Sequence, residues 1–150
     1  MRPIPVLALL ALLAACNTDK KPAASLTGTW QLLTGTIIEK NDTTVTDYTK
    51  DKKFIKVIND SHFCFMGHDL KQGKDSANAF FSAGGGTYTL KDSTYTEHLQ
   101  YCSDRAWENN EFHFTVTIHN DTLIQQGKEK VAGTNIDRLN IEKYVRVKGE

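Results

Sequence analysis

Phe112-His113-Phe114-Thr115-Val116-Thr117-Ile118-His119 alternates apolar and polar side chains without a break. Successive side chains of an extended chain point to opposite faces. The stretch therefore puts Phe112, Phe114, Val116 and Ile118 on one face and His113, Thr115, Thr117 and His119 on the other, the mark of a half-buried strand. His119-Asn120-Asp121 then reads as a turn into a second β-prone run over 122–126. Outward from this hairpin the same text repeats. Residues 28–39 are rich in Thr, Ile, Leu and Trp, and Lys40-Asn41-Asp42 turns them into 44–48. Residues 54–58 end at Asn59-Asp60-Ser61 and lead into 62–66; 87–90 turn at Lys91-Asp92-Ser93 into 94–101; 140–147 close the chain. Segments 71–79, 103–110 and 128–137 read as short helices or irregular loops, and no long amphipathic helical stretch is present. The expectation is an all-β antiparallel meander of about eight to ten strands that hides its edges by closing into a barrel. An open β-sandwich is the alternative.

The first fifteen residues differ from the rest. Arg2 supplies a positive charge, residues 6–15 are an unbroken run of Val, Ala and Leu, and Cys16 is followed at once by Asn17, Thr18, Asp19, Lys20 and Lys21. This is the layout of a secretory signal, and the apolar run is too short for the ~20 residues of a membrane-spanning helix. Leu13-Ala14-Ala15-Cys16 resembles the lipobox of bacterial lipoproteins. That resemblance implies cleavage before Cys16, lipidation of its thiol, and a membrane-anchored protein of the cell envelope facing the periplasm or the exterior. The expected organisation is a signal peptide over 1–15, a tether over 16–25 and one domain over 26–150. The chain has 18 Lys/Arg and 18 Asp/Glu. Only Arg2 falls in the leader, so 17 basic residues face 18 acidic ones in the remainder, a balance that argues against a nucleic-acid partner.

Leu26-Thr27-Gly28-Thr29-Trp30 resembles the opening motif of lipocalin and calycin barrels, a Gly-x-Trp near the start of the first strand. The resemblance implies that Trp30 closes the barrel floor and that Arg146, in the last strand segment, lies across its ring. Gly28 would allow close backbone approach there. Ser82-Ala83-Gly84-Gly85-Gly86-Thr87-Tyr88-Thr89-Leu90, followed by Tyr95-Thr96-Glu97-His98, is similar to lipocalin-like domains of unknown function in secreted proteins of Gram-negative bacteria. It implies a fold and no chemistry. The three glycines are read as a bulge that bends a strand at a barrel corner.

Tyr95, Glu97, Leu99 and Tyr101 share one strand face, and Tyr88 shares one with Leu90. If the first face points inward, Glu97 is a carboxylate in an apolar lumen and must be paired or hydrogen-bonded. It either anchors a ligand walled by Tyr88, Tyr95 and Tyr101, or joins an internal ion pair with a Lys or Arg of a facing strand. Small molecules and proteins both stand as partners. Cys64 and Cys102 either form a disulfide, which the oxidising compartment permits, or stay as two buried free thiols. The five histidines match no zinc spacing, no cofactor is expected, and no serine elbow, phosphate loop or thiol-protease signature is present, so no catalytic residue is named. An enzyme using Glu97 is the weakest reading. Finally, Asp-(Ser/Thr)-x recurs around Thr43, Ser76, Ser93 and Thr122. It is similar to the O-glycosylation motif of one group of Gram-negative bacteria, and all four hydroxyls are expected in turns or loops.

Overall fold

The computed structural model describes residues 25–149. Cys16, the leader over 1–15 and the tether up to residue 24 lie outside them. Nine strands follow in chain order: β1 (Gly28–Glu39), β2 (Asp42–Asp47), β3 (Lys52–Ile58), β4 (His62–Asp69), β5 (Phe81–Lys91), β6 (Thr94–Cys102), β7 (Asn110–His119), β8 (Thr122–Lys130) and β9 (Asp137–Arg146). Every pairing is antiparallel, and β3 to β9 pair in sequence order. β1 closes the circle: Trp30 lies opposite Arg146 of β9 and Lys56 of β3. The result is a closed eight-strand barrel with β2 as an extra strand on the far half of β1. Closure leaves β2 as the exposed edge and removes the open-sandwich alternative.

The alternating stretch becomes β7, with Phe112, Phe114 and Val116 buried and His113, Thr115 and Thr117 exposed. Lys40 and Asn41 both take positive φ (48° and 67°), as a two-residue hairpin turn of the right twist requires. Several strands have other bounds than the sequence reading gave them, while the 103–110 segment is as read. β5 begins at Phe81, because the glycines are part of the strand. β8 runs on through Lys128, Glu129 and Lys130, which pair with β9 instead of looping. The 103–110 segment carries one 3₁₀ turn, Arg105–Trp107, whose entry is capped by the Asp104 carboxylate accepting from the Ala106 amide at 3.2 Å.

The glycine run does sit at a bulge. Gly85 lies opposite Tyr101 and Gly86 opposite Leu99, so the extra residue is Gln100 on β6. A side chain at Gly86 would place Cβ 1.9 Å from the His98 carbonyl oxygen. Only a residue without Cβ lets the two backbones meet there.

The meander sorts the ends of the barrel. At one end lie the start of β1 and the turns at 59–61, 92–93 and 120–121; Trp30 fills it, wholly buried. The core packed above it includes Ile58, Phe63, Tyr95, Leu123 and Tyr144. At the other end lie the 3₁₀ turn and the 131–136 connection.

The motif hydroxyls divide. Ser76 and Ser93 are exposed in loops as expected, whereas Thr43 and Thr122 are not in turns. Thr43 pairs opposite Ile38 and half-buried Thr122 opposite His119 and Val145, because one ladder already begins at Asp42, opposite Glu39, and the other begins at Thr122 itself, straight after Asp121.

Candidate functional site

The floor follows the expected pattern. The Arg146 guanidinium carbon lies 4.0 Å from the Trp30 ring centroid. Arg146 Nη1 donates to the Thr27 carbonyl at 2.8 Å and Nη2 to the Ser25 carbonyl. Trp30 Nε1 donates to the Leu26 carbonyl at 2.8 Å. Gly28 has φ +141°, and a Cβ there would sit 2.6 Å from Arg146 Nη1. The glycine thus makes room for the guanidinium.

Above the floor, Glu97 does point inward, 6 % exposed, and it is paired. Its partner is Lys56 of β3, whose Nζ donates to Glu97 Oε1 and, at 2.9 Å, to Gln125 Oε1 of β8. Lys56 Nζ also sits 5.3 Å from the Phe63 ring centroid and 5.4 Å from that of Tyr95. Of the two readings of Glu97, the geometry is that of the internal ion pair.

Beyond this layer the barrel is hollow. A cavity of about 290 Å³ opens away from Trp30. One wall is apolar, from Phe54, Phe65, Leu99, Phe112 and Phe114 of β3, β4, β6 and β7. The other is polar and comes from β8 and β9, where Gln125, Glu129, Arg138, Asn140, Glu142 and Tyr144 point inward. Glu129 lies opposite Arg138 in the ladder and accepts from its Nε at 2.7 Å and from Asn140 Nδ2 at 2.8 Å. Trp107 of the 3₁₀ turn lines the cavity as well, with the Arg138 guanidinium 5.1 Å from its ring centroid.

Glu142 stands apart. It is half-buried, lines the cavity, and forms no ion pair among the described residues. Its one hydrogen bond accepts from the Tyr144 hydroxyl at 2.9 Å. Burial holds its carboxyl above the ordinary carboxylate range; Lys56 opposes this, while Glu129 and Glu97 reinforce it. A carboxyl whose pKa rises on folding favours the fold fully while protonated and loses that contribution as pH climbs through the raised value. Glu142→Gln is therefore expected to melt a few degrees higher than the parent at pH 7–8 and to match it near pH 4. Thermal melts across that range check it. An equal offset at every pH would show that ionisation of Glu142 is not the cause.

Three expected residues are placed differently. Tyr101 is 70 % exposed on the outside, because the bulge at Gln100 shifts its side chain to the opposite face. Tyr95 is buried core with its ring 5.1 Å from that of Tyr88, and its hydroxyl has no hydrogen-bond partner among the described residues. Tyr88 donates to the Asn59 carbonyl at 2.7 Å, near the floor. None of the three lines the cavity; Tyr144 does. Leu90, grouped with Tyr88, is exposed. The disulfide reading also falls: Cys64 and Cys102 are free. They pair with Gly85 and Gly84 from opposite sides of β5, two strand spacings apart. That is about 9–10 Å, beyond the ~7 Å that a disulfide can bridge. On the outer face, the Glu111 carboxylate sits 3.0 Å from His98 Nδ1 and 3.1 Å from His113 Nε2. No set of three or more His, Cys, Asp or Glu side chains among the described residues is arranged to hold a metal ion.

The sequence reading missed Lys56, Gln125, Glu129, Arg138, Asn140 and Glu142. A signal existed for Lys56, which alternates with Phe54 and Ile58 and so must share their inward face. No curated protein matches the chain. Residues 25–150 match the family described as a domain of unknown function (DUF4488), and the chain belongs to that family.

Proposed function

We propose that this domain is a binding or accessory module of lipocalin-like type, carried on the cell envelope by a lipid on Cys16 and taking a small molecule into its barrel. The observation that carries the binding reading is the cavity. The barrel is closed by Trp30 at one end and hollow at the other, and the cavity there sets an apolar wall against convergent polar groups. Ligand sites are built this way, and about 290 Å³ lies at the small end of their range. The lipocalin-like reading is supported by Gly28-Thr29-Trp30 and by Arg146 stacked on the indole. The anchor, and with it a position facing the periplasm or the exterior, rests on Leu13-Ala14-Ala15-Cys16. In this reading the domain is not an enzyme, since the lumen acid Glu97 is already engaged by Lys56.

Native mass spectrometry of protein purified from its own host tests the binding reading. The expected result is a small-molecule mass that leaves on denaturation. Protein that carries none, and that gains none from a host extract, overturns it. That outcome favours the second reading, a structural or interaction subunit, which the Lys56, Glu97 and Gln125 cluster supports by filling the middle of the lumen with mutually satisfied groups. Cys16→Ser tests the anchor separately. It is expected to abolish fatty-acid labelling, and a variant that still labels is not anchored through Cys16.

A further inference from the structure

We infer that the lumen selects a small organic cation, an amine with an aromatic or aliphatic body, and that Glu142 is its counter-ion. The inference rests on the binding reading above and names the ligand class. Its ground is an inventory of the charges around the cavity. Lys56 is spent on Glu97 and Gln125. Arg138 is spent on Glu129 and stacked on Trp107. Both lining cations already have partners, so among the described residues an incoming carboxylate or phosphate would meet no free positive group there and would face Glu142. Asp104, also on the lining, accepts from the Ala106 amide of the 3₁₀ turn. Glu142 is the reverse case, a carboxyl inside the lumen whose one side-chain hydrogen bond among the described residues comes from a neutral phenol.

An ammonium group placed beside Glu142 would supply the missing charge and form charge-assisted hydrogen bonds where water is scarce. The opposite wall suits the rest of such a molecule, since Phe54, Phe65, Phe112 and Phe114 offer apolar surface. A cavity near 150 Å³ holds one benzene ring, so this one accommodates about twelve non-hydrogen atoms by the same measure.

The proton balance follows. The groups that face Glu142 are Lys56 of β3, Glu97 and Tyr95 of β6, Glu129 of β8, Arg138 and Tyr144 of β9, and Tyr48 beyond β2. Their sum, with burial, keeps a proton on Glu142 at pH values where a free glutamate has lost it. When an alkylammonium binds, the carboxylic acid gives its proton to the buffer, and the resulting carboxylate accepts from the ammonium N–H.

Calorimetric titration of the full chain with phenethylamine, phenethyl alcohol and phenylacetate tests this, because the three share a body and differ in head-group charge. At pH 7 the amine is expected to bind at least about ten-fold more tightly than the alcohol, with phenylacetate weakest. In Glu142→Gln, the amine is expected to fall to the level of the alcohol while the alcohol is unchanged. At pH 5, in two buffers of different ionisation heat, amine binding is expected to release protons and alcohol binding none. Equal affinities for amine and alcohol, a preference for phenylacetate, or an amine preference that survives Glu142→Gln would each overturn the counter-ion role and leave the lumen-binding reading standing. Failure of all three probes to bind would count against both.

Discussion

Lys56→Met is expected to cost the domain about 3–5 kcal/mol, read as a lower urea midpoint at pH 7 with an unchanged slope. Lys56 is only 3 % exposed, and its ammonium is the cation of a closed polar cluster. Methionine keeps the length of the side chain and much of its packing, so what is lost is the charge. Glu97, 6 % exposed, is then left with no counter-ion, and Gln125 loses a donor. The expense comes from the orphaned carboxylate more than from the lost attraction. A second variant separates the two. Lys56→Met combined with Glu97→Leu removes both charges and is expected to recover most of the loss, since apolar replacement of a whole buried pair is often neutral or stabilising. A single substitution that costs under about 1 kcal/mol would place Lys56 in a hydrated environment instead.

This cluster shows where the sequence was readable and where it was not. Strand periodicity carries the architecture, because Phe112, Phe114 and Val116 announce which way β7 faces. It also turns Glu97 inward, on the face of Tyr95 and Leu99. The same rule fails two residues later at Tyr101, since one extra residue in a strand inverts the face of everything beyond it. The glycines mark the bulge, but the residue that bulges, Gln100, is on the partner strand and carries no local signal.

The polar wall was hidden for a different reason. In β8 and β9 the inward residues include Gln125, Glu129, Asn140 and Glu142, while Ile124, Ile141 and Val145 occupy alternate positions, half-buried on the other face. A pattern of apolar-in and polar-out would predict the opposite facing. Their facing is fixed by the register with neighbouring strands and by Leu123 and Tyr144, which are almost wholly buried. Barrel closure sets that register, and closure is a long-range fact. A sequence that breaks the local rule in two adjacent strands, with the broken positions meeting in one cavity, departs from core-building where a site would be expected.

Trp30→Ala is expected to cost about 3–5 kcal/mol as well, by leaving a void at the sealed end of the barrel. The ring has no exposed surface, and its indole N–H is satisfied by the Leu26 carbonyl. The neighbouring strands cannot collapse into the space, because β1 is held between β3 and β9 at this level. Arg146→Ala is expected to cost less, about 1–3 kcal/mol, as it removes a stacking contact and two hydrogen bonds from a charged donor. The double variant tells these apart. Stacking on the indole disappears once Trp30 is gone, so the Arg146 substitution should then cost ~0.5–2 kcal/mol less than in the parent. It should not become silent, because the bonds to the Thr27 and Ser25 carbonyls hold the approach to β1 without the ring. Strict additivity of the two losses would mean that the guanidinium lies over the indole without energetic coupling to it. A wholly silent Arg146→Ala in the Trp30→Ala background would mean that the carbonyl contacts exist only while the ring supports them.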